Sequence, residues 1–111
     1  MRTDEPELDI AAFHCQQAVE KTLKAFLVFS RTEFGKVHDL GLLLDLCRET
    51  GEDFESIRER IEPLTVFAVA FRYPGPPDPS LRQVRSALDI VESVWSFVAQ
   101  HLPADVVPNQ P

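Results

Sequence analysis

From Leu81 to Leu102 the apolar residues Leu81, Val84, Leu88, Val91, Trp95, Val98 and Leu102 recur at alternating intervals of three and four. That interval fits the 3.6-residue turn of an α-helix, whereas a half-buried strand would need a period of two. The segment reads as one long helix with a continuous apolar seam, either facing a core or forming half of a helix pair. Its limits are equally plain. Ser80 followed by Gln83 has the form of a capping box, and Pro103 stops the helix.

Such a seam must be covered, and the rest of the chain supplies helices to cover it. The first is expected from Pro6, which suits a first helical turn, to about Ser30, with Asp4 as its cap. Within it Cys15, Ala18, Val19, Thr22, Leu23 and Phe26 share one arc, while His14, Gln17, Lys21 and Lys24, spaced three, four and three apart, form a narrow polar stripe. Ile10, Phe13 and Val28 add apolar groups to the polar side, so this helix wants partners on more than one face. After a link from Arg31 to Val37, His38 or Asp39 can cap a short helix whose Leu40, Leu43, Leu44 and Cys47 form a buried stripe and whose end is set by Gly51. A third helix is expected from Phe54 to Arg72 with Asp53 as its cap. Pro63 should bend or split it between Ile61 and Leu64, because proline removes one backbone hydrogen bond and clashes with the preceding turn. The run Tyr73-Pro-Gly-Pro-Pro-Asp-Pro79 cannot be helical and reads as a stiff loop.

Four helices, with no strand pattern, internal repeat or glycine-rich phosphate loop, predict an all-α fold, an antiparallel up-and-down four-helix bundle. At 111 residues the chain is one domain, divided as a lead of residues 1–7, a helical domain of 8–102 and a loose polar tail of 103–111. No window approaches the roughly 18 apolar residues of a membrane span. The acidic start lacks the pattern of a secretory signal, so the expected location is the cytoplasm. Cys15 and Cys47 lie on apolar arcs and read as small buried hydrophobes, neither a disulfide nor a metal site; no metal or other cofactor is expected. The net charge of −7 argues against broad attraction to nucleic acid, and DNA binding is not expected. Any contact with RNA or a nucleotide would need a local basic patch.

The run Gln16-Gln17-Ala18-Val19-Glu20-Lys21, followed by His38-Asp39-Leu40 and Arg72-Tyr73-Pro74-Gly75 in that order, resembles the HEPN family of small all-helical domains. The resemblance covers about Leu8 to Leu102. It implies a four-helix bundle, a tendency to dimerise, and work beside a minimal nucleotidyltransferase in toxin–antitoxin pairs or related modules. Proteins similar to this one usually carry a further amphipathic helix before the Gln-Gln helix. Seven residues before Leu8 are too few for it, so the expected bundle lacks that first helix. A second copy of the chain, docked on helix one and the final helix, is then the expected cover.

Ribonuclease members of the family use an Arg followed four to six residues later by His on the late helix. No histidine follows Arg72 before His101. The general acid or base that RNA cleavage needs is thus missing from that place. Arg31 and His38 have a comparable spacing but lie in the link between the first two helices, and they are the weak candidates for catalysis. The expected function is a non-catalytic binding or regulatory module whose ligand or partner site uses His14, Gln17, Lys21, Lys24, Arg72 and Tyr73. The partner would be a minimal nucleotidyltransferase, a nucleotide or RNA. The stripe on helix one leaves two readings open: a polar binding face, or a solvated face helped by a Glu20–Lys24 pair. An endoribonuclease toxin and a purely structural dimerisation unit are the alternatives. His38 is read as a helix-start residue bonding locally, His101 as a last-turn residue, and Trp95 as a core filler.

Overall fold

The computed structural model describes residues 8–70 and 80–102, without the side chains of residues 8, 9 and 66–70. The described residues are all helical apart from their links: α1 (Leu8–Phe29), α2 (Leu40–Arg48), a 3₁₀ turn (Phe54–Ile57) running into α3 (Arg58–Ala70), and α4 (Leu81–Ala99). They form a four-helix bundle in which α1 is the shared element, packing against α4 most extensively and against α2 and α3 as well. The expected all-α bundle is the observed one. Arg72 and Tyr73, the proline loop and the lead and tail segments lie outside the described residues.

The helix limits follow from local chemistry. Asp39, not His38, caps α2 by accepting a hydrogen bond from the Leu42 amide at 3.0 Å. At Ser80 the hydroxyl accepts from the Gln83 amide at 3.1 Å while the Gln83 side chain accepts from the Ser80 amide at 2.8 Å. This reciprocal box satisfies two amide donors that a helix start otherwise leaves open. Past the end of α2, Gly51 has φ +96°, a conformation that side chains resist.

The third helical segment departs from expectation. Asp53 makes no side-chain cap, and the chain opens with a 3₁₀ turn that changes to α-helix at Arg58. Helix α3 then runs through Pro63 without a split. Ile61 and Leu64, on either side of the proline, are almost completely buried. Burying two such side chains stabilises by about 1.5 to 3 kcal/mol each. That offsets the roughly 3 kcal/mol a proline costs inside a helix.

In α4 the buried residues are Val84, Ala87, Val94 and Val98, with Val91 partly buried beside them. Leu81 and Leu88 are about half exposed, at 49% and 51%, and Trp95 and Leu102 are only partly covered. The expected seam is therefore split lengthwise. Its valines turn to the core with Ala87 and Val94, while Leu81, Leu88 and Trp95 lie on a neighbouring line, and Trp95 is not a fully buried filler. Helix α1 is rotated in a similar sense: Ala12, Cys15, Val19, Leu23, Phe26 and Leu27 are buried, whereas Ala18 and Thr22 are only partly so. At one end of the core Phe54 is fully buried, with ring centroids 4.7 Å from Phe26 and 5.0 Å from Phe97. His101 stacks on Phe97 at 4.6 Å and its Nε2 reaches Glu52 at 3.1 Å, tying the end of α4 to the loop after α2.

Candidate functional site

Two polar residues lie on the buried side of α1. Gln16 is 7% exposed and Glu20 is 4% exposed. They stand one helical turn apart and continue, at intervals of four, three and four, into Leu23 and Leu27, so that a polar pair extends a buried apolar line. A carboxylate in that position needs partners, because burying a charge without them costs several kcal/mol. Glu20 Oε2 has two: the Lys24 ammonium at 3.1 Å and Nδ1 of His38 at 2.9 Å. Its other oxygen, Oε1, is buried and accepts no hydrogen bond among the described residues. Burial pulls the Glu20 carboxyl upward, but the hydrogen bonds from His38 and Lys24, together with their charge, outweigh it and hold the group below the ordinary carboxylate value.

The link between α1 and α2 brings His38 to this position. After α1 the Ser30 amide donates to Phe26 O and the Thr32 amide to Leu27 O, both at 2.9 Å, while Arg31 adopts the left-handed conformation with φ +58°. Phe34 and Val37 then pack onto the core, and Phe34 lies under the Lys24 ammonium at 5.6 Å. Pinned there and by the Asp39 cap one residue on, the link sets His38 over the Glu20 carboxylate. Because an ionised carboxylate only accepts, Nδ1 of His38 is the donor to Glu20, and Nε2 makes no bond among the described residues. The imidazole is 69% exposed, so the ring that Glu20 holds stands open to solvent.

The expected polar stripe is thereby divided. Gln17 and Lys24, both partly buried, belong to the cluster: Gln17 Nε2 donates to Gln16 Oε1 at 3.0 Å, and Lys24 holds Glu20. His14 and Lys21 stand exposed, with the His14 ring edge-on to Phe13 at 6.0 Å. His38 does not bond locally; its partner lies eighteen residues earlier in the chain. Arg31 is exposed and makes no hydrogen bond or ion pair with His38, so their spacing in sequence does not become a contact among the described residues. Gln16 and Glu20 enter the sequence reading only through the family motif and, for Glu20, as the partner of Lys24 on a solvated face; what that reading missed is their burial. Their signal was the register that places them in line with Leu23 and Leu27.

The cluster is a surface feature. Two hollows among the described residues lie elsewhere: one of about 650 Å³ beside Ser56, Arg60 and Ser93, and one of about 570 Å³ beside Pro63, Gln83 and Ala87, both between α3 or the turn before it and α4. Among the described residues no group of three or more His, Cys, Asp or Glu side chains could hold a metal ion. No helix of the described residues is long and apolar enough to cross a membrane. An open patch of amide, ammonium and imidazole groups around one buried carboxylate suits contact with another macromolecule or an extended polar ligand better than enclosure of a small apolar one.

Compared with known families, the chain matches the model of the HEPN domain over residues 2–102. No curated protein and no solved structure gives a significant match.

Proposed function

Because the chain belongs to the HEPN domain family, whose members often pair with nucleotidyltransferases, we propose that it is a non-catalytic binding and regulatory module, a homodimer that engages a minimal nucleotidyltransferase of the toxin–antitoxin type or the nucleotide that enzyme uses. The observation that carries this reading is the Glu20-held His38 beside Gln17 and Lys24, an ordered polar patch on open surface. Partner recognition benefits from side chains already fixed before contact, since less freedom is then lost on binding. Lys21 and His14 flank the patch on the same helix, and Arg72 and Tyr73 complete the set suggested by the family motif. The test is binding of purified dimer to the nucleotidyltransferase and to ATP by calorimetry. His38→Ala, Lys21→Ala and Arg72→Ala should each weaken one of these interactions about tenfold or more, roughly 1.4 kcal/mol, with an unchanged circular dichroism spectrum. Full affinity in all three variants overturns the proposal.

One observation favours a second reading. A histidine whose Nδ1 is held by a carboxylate and whose Nε2 is free is the arrangement of a general base, and His38 has it. On that reading the protein is a metal-independent endoribonuclease. Cleavage of a mixed-sequence RNA by purified protein in EDTA, abolished in His38→Ala, would replace the binding-module reading. A solely structural dimerisation unit would bind neither partner nor nucleotide.

A further inference from the structure

Helix α4 carries an unused stripe with its own charge pattern. Leu81, Leu88 and Trp95 recur every seventh residue, and the two leucines are about half exposed although the helix they belong to is packed on α1. Seventh-residue spacing keeps such groups on one line along a helix that faces another helix. On a helical projection Arg85 and Glu92 fall on the same edge of that line, about 50° from it. Arg82 and Asp89 follow farther round. All four are exposed, and none makes an ion pair among the described residues. Their charges cancel, so the patch is neutral on a chain of net charge −7.

The order of these charges does not serve the isolated helix. Arg82 and Arg85 lie in the first turns, where the positive end of the helix dipole disfavours cations, and α4 has no acidic residue in its first turn and no basic one in its last. Arg85 and Asp89 are one turn apart with the base first, the weaker orientation for an intrahelical pair. The pattern does serve a twofold. Leu81 and Trp95 are equally distant from Leu88, by seven residues each way. A twofold axis through Leu88, perpendicular to α4, sets a second α4 antiparallel to the first, with Leu88 on Leu88 and Leu81 level with Trp95 of the other copy. The same rotation brings each charged edge beside its own counterpart. Arg85, three residues before the axis, then comes within about 1.5 Å along the helix of Glu92, four residues after it on the other copy.

The geometry points to a second copy of this chain as the occupant of the stripe, docked through an antiparallel α4 pair centred on Leu88 with two symmetric Arg85–Glu92 bridges. This rests on the dimer proposed above and specifies its surface and register. The exposed apolar groups of α1 take no part in fixing that register.

Charge reversal on the whole chain tests it, with mass measured by sedimentation equilibrium and fold by circular dichroism. Arg85→Glu turns both bridges into facing carboxylates, and Glu92→Arg turns both into facing guanidinium groups; each should weaken self-association about tenfold or more. An equimolar mixture of the two variants should regain a heterodimer near wild-type strength, because each new charge then meets its opposite. Leu88→Lys, at an exposed position where the fold does not need leucine, should give a folded monomer. A wild-type monomer at micromolar concentration overturns both the dimer and this register. A wild-type dimer that ignores both reversals, or variants that weaken but fail to recover on mixing, overturns the register and leaves the dimer standing.

Discussion

The bond between His38 and Glu20 gives a quantitative test of the site. In His38→Ala the imidazole is removed and Glu20, 4% exposed, keeps only Lys24 as a partner while its second oxygen remains unpaired. A hydrogen bond to a charged group contributes about 1.5 to 3 kcal/mol when well shielded. The donor ring here is 69% exposed, so solvent screening reduces the figure to about 1 kcal/mol. For a domain of this size that corresponds to a fall in Tm of about 4 to 8 °C. Urea unfolding followed by circular dichroism measures it as a shift in midpoint at constant slope. His38→Asn should recover part of the loss, because the Asn amide nitrogen can stand near the place of Nδ1. The cycle His38→Ala, Glu20→Gln and the double variant should give a coupling of about 0.5 to 1 kcal/mol. A coupling within about 0.2 kcal/mol of zero, with no rescue by Asn, would show that His38 merely rests above Glu20, and the reasoning that makes it an ordered recognition group would fail.

The same carboxylate sets an acid limit. Its folded-state value lies below that of the unfolded chain, so its stabilisation is present above about pH 4.3 and is lost as pH falls through the folded value. Glu20→Gln should therefore flatten the acid limb of stability against pH, measured by urea midpoints from pH 3 to 7. Burial pushes the Cys47 thiol up to about 12 and raises Cys15 as well. Neither should react with a thiol reagent at pH 8 until denaturant is added, and rapid labelling of the native protein would contradict their burial. Leu23→Ala, at a fully buried position, should cost about 2 to 5 kcal/mol. Ser80→Ala should cost about 1 kcal/mol by opening the capping box, both read from urea midpoints.

What was legible in the chain was chiefly what local chemistry decides. The Ser80–Gln83 box and the stripe Leu40, Leu43, Leu44 and Cys47 depend on residues a few positions apart and are found as read; of the two caps left open for α2 the structure selects Asp39, and the helix ends at Arg48, with the left-handed Gly51 in the turn beyond it. The Glu20–Lys24 pair was legible for the same reason. What escaped depends on neighbours distant in sequence. The apolar arc of α4 is wide enough for two lines, and only the position of α1 decides that Val84, Ala87, Val94 and Val98 are buried while Leu81 and Leu88 are left outside. Pro63 signalled a break that the burial of Ile61 and Leu64 outweighs. The partner that buried Glu20 finds in His38 is brought by the α1–α2 link from eighteen residues away, which no local pattern announces.

The central place of α1 bears on how the domain comes apart. Since α2, α3 and α4 all lean on that one helix, none can detach without exposing its neighbours' contact surface to water, and small openings have little to start from. Slow amides in all four helices should then exchange with deuterium through one shared opening of a single free energy, the behaviour of a lone cooperative unit.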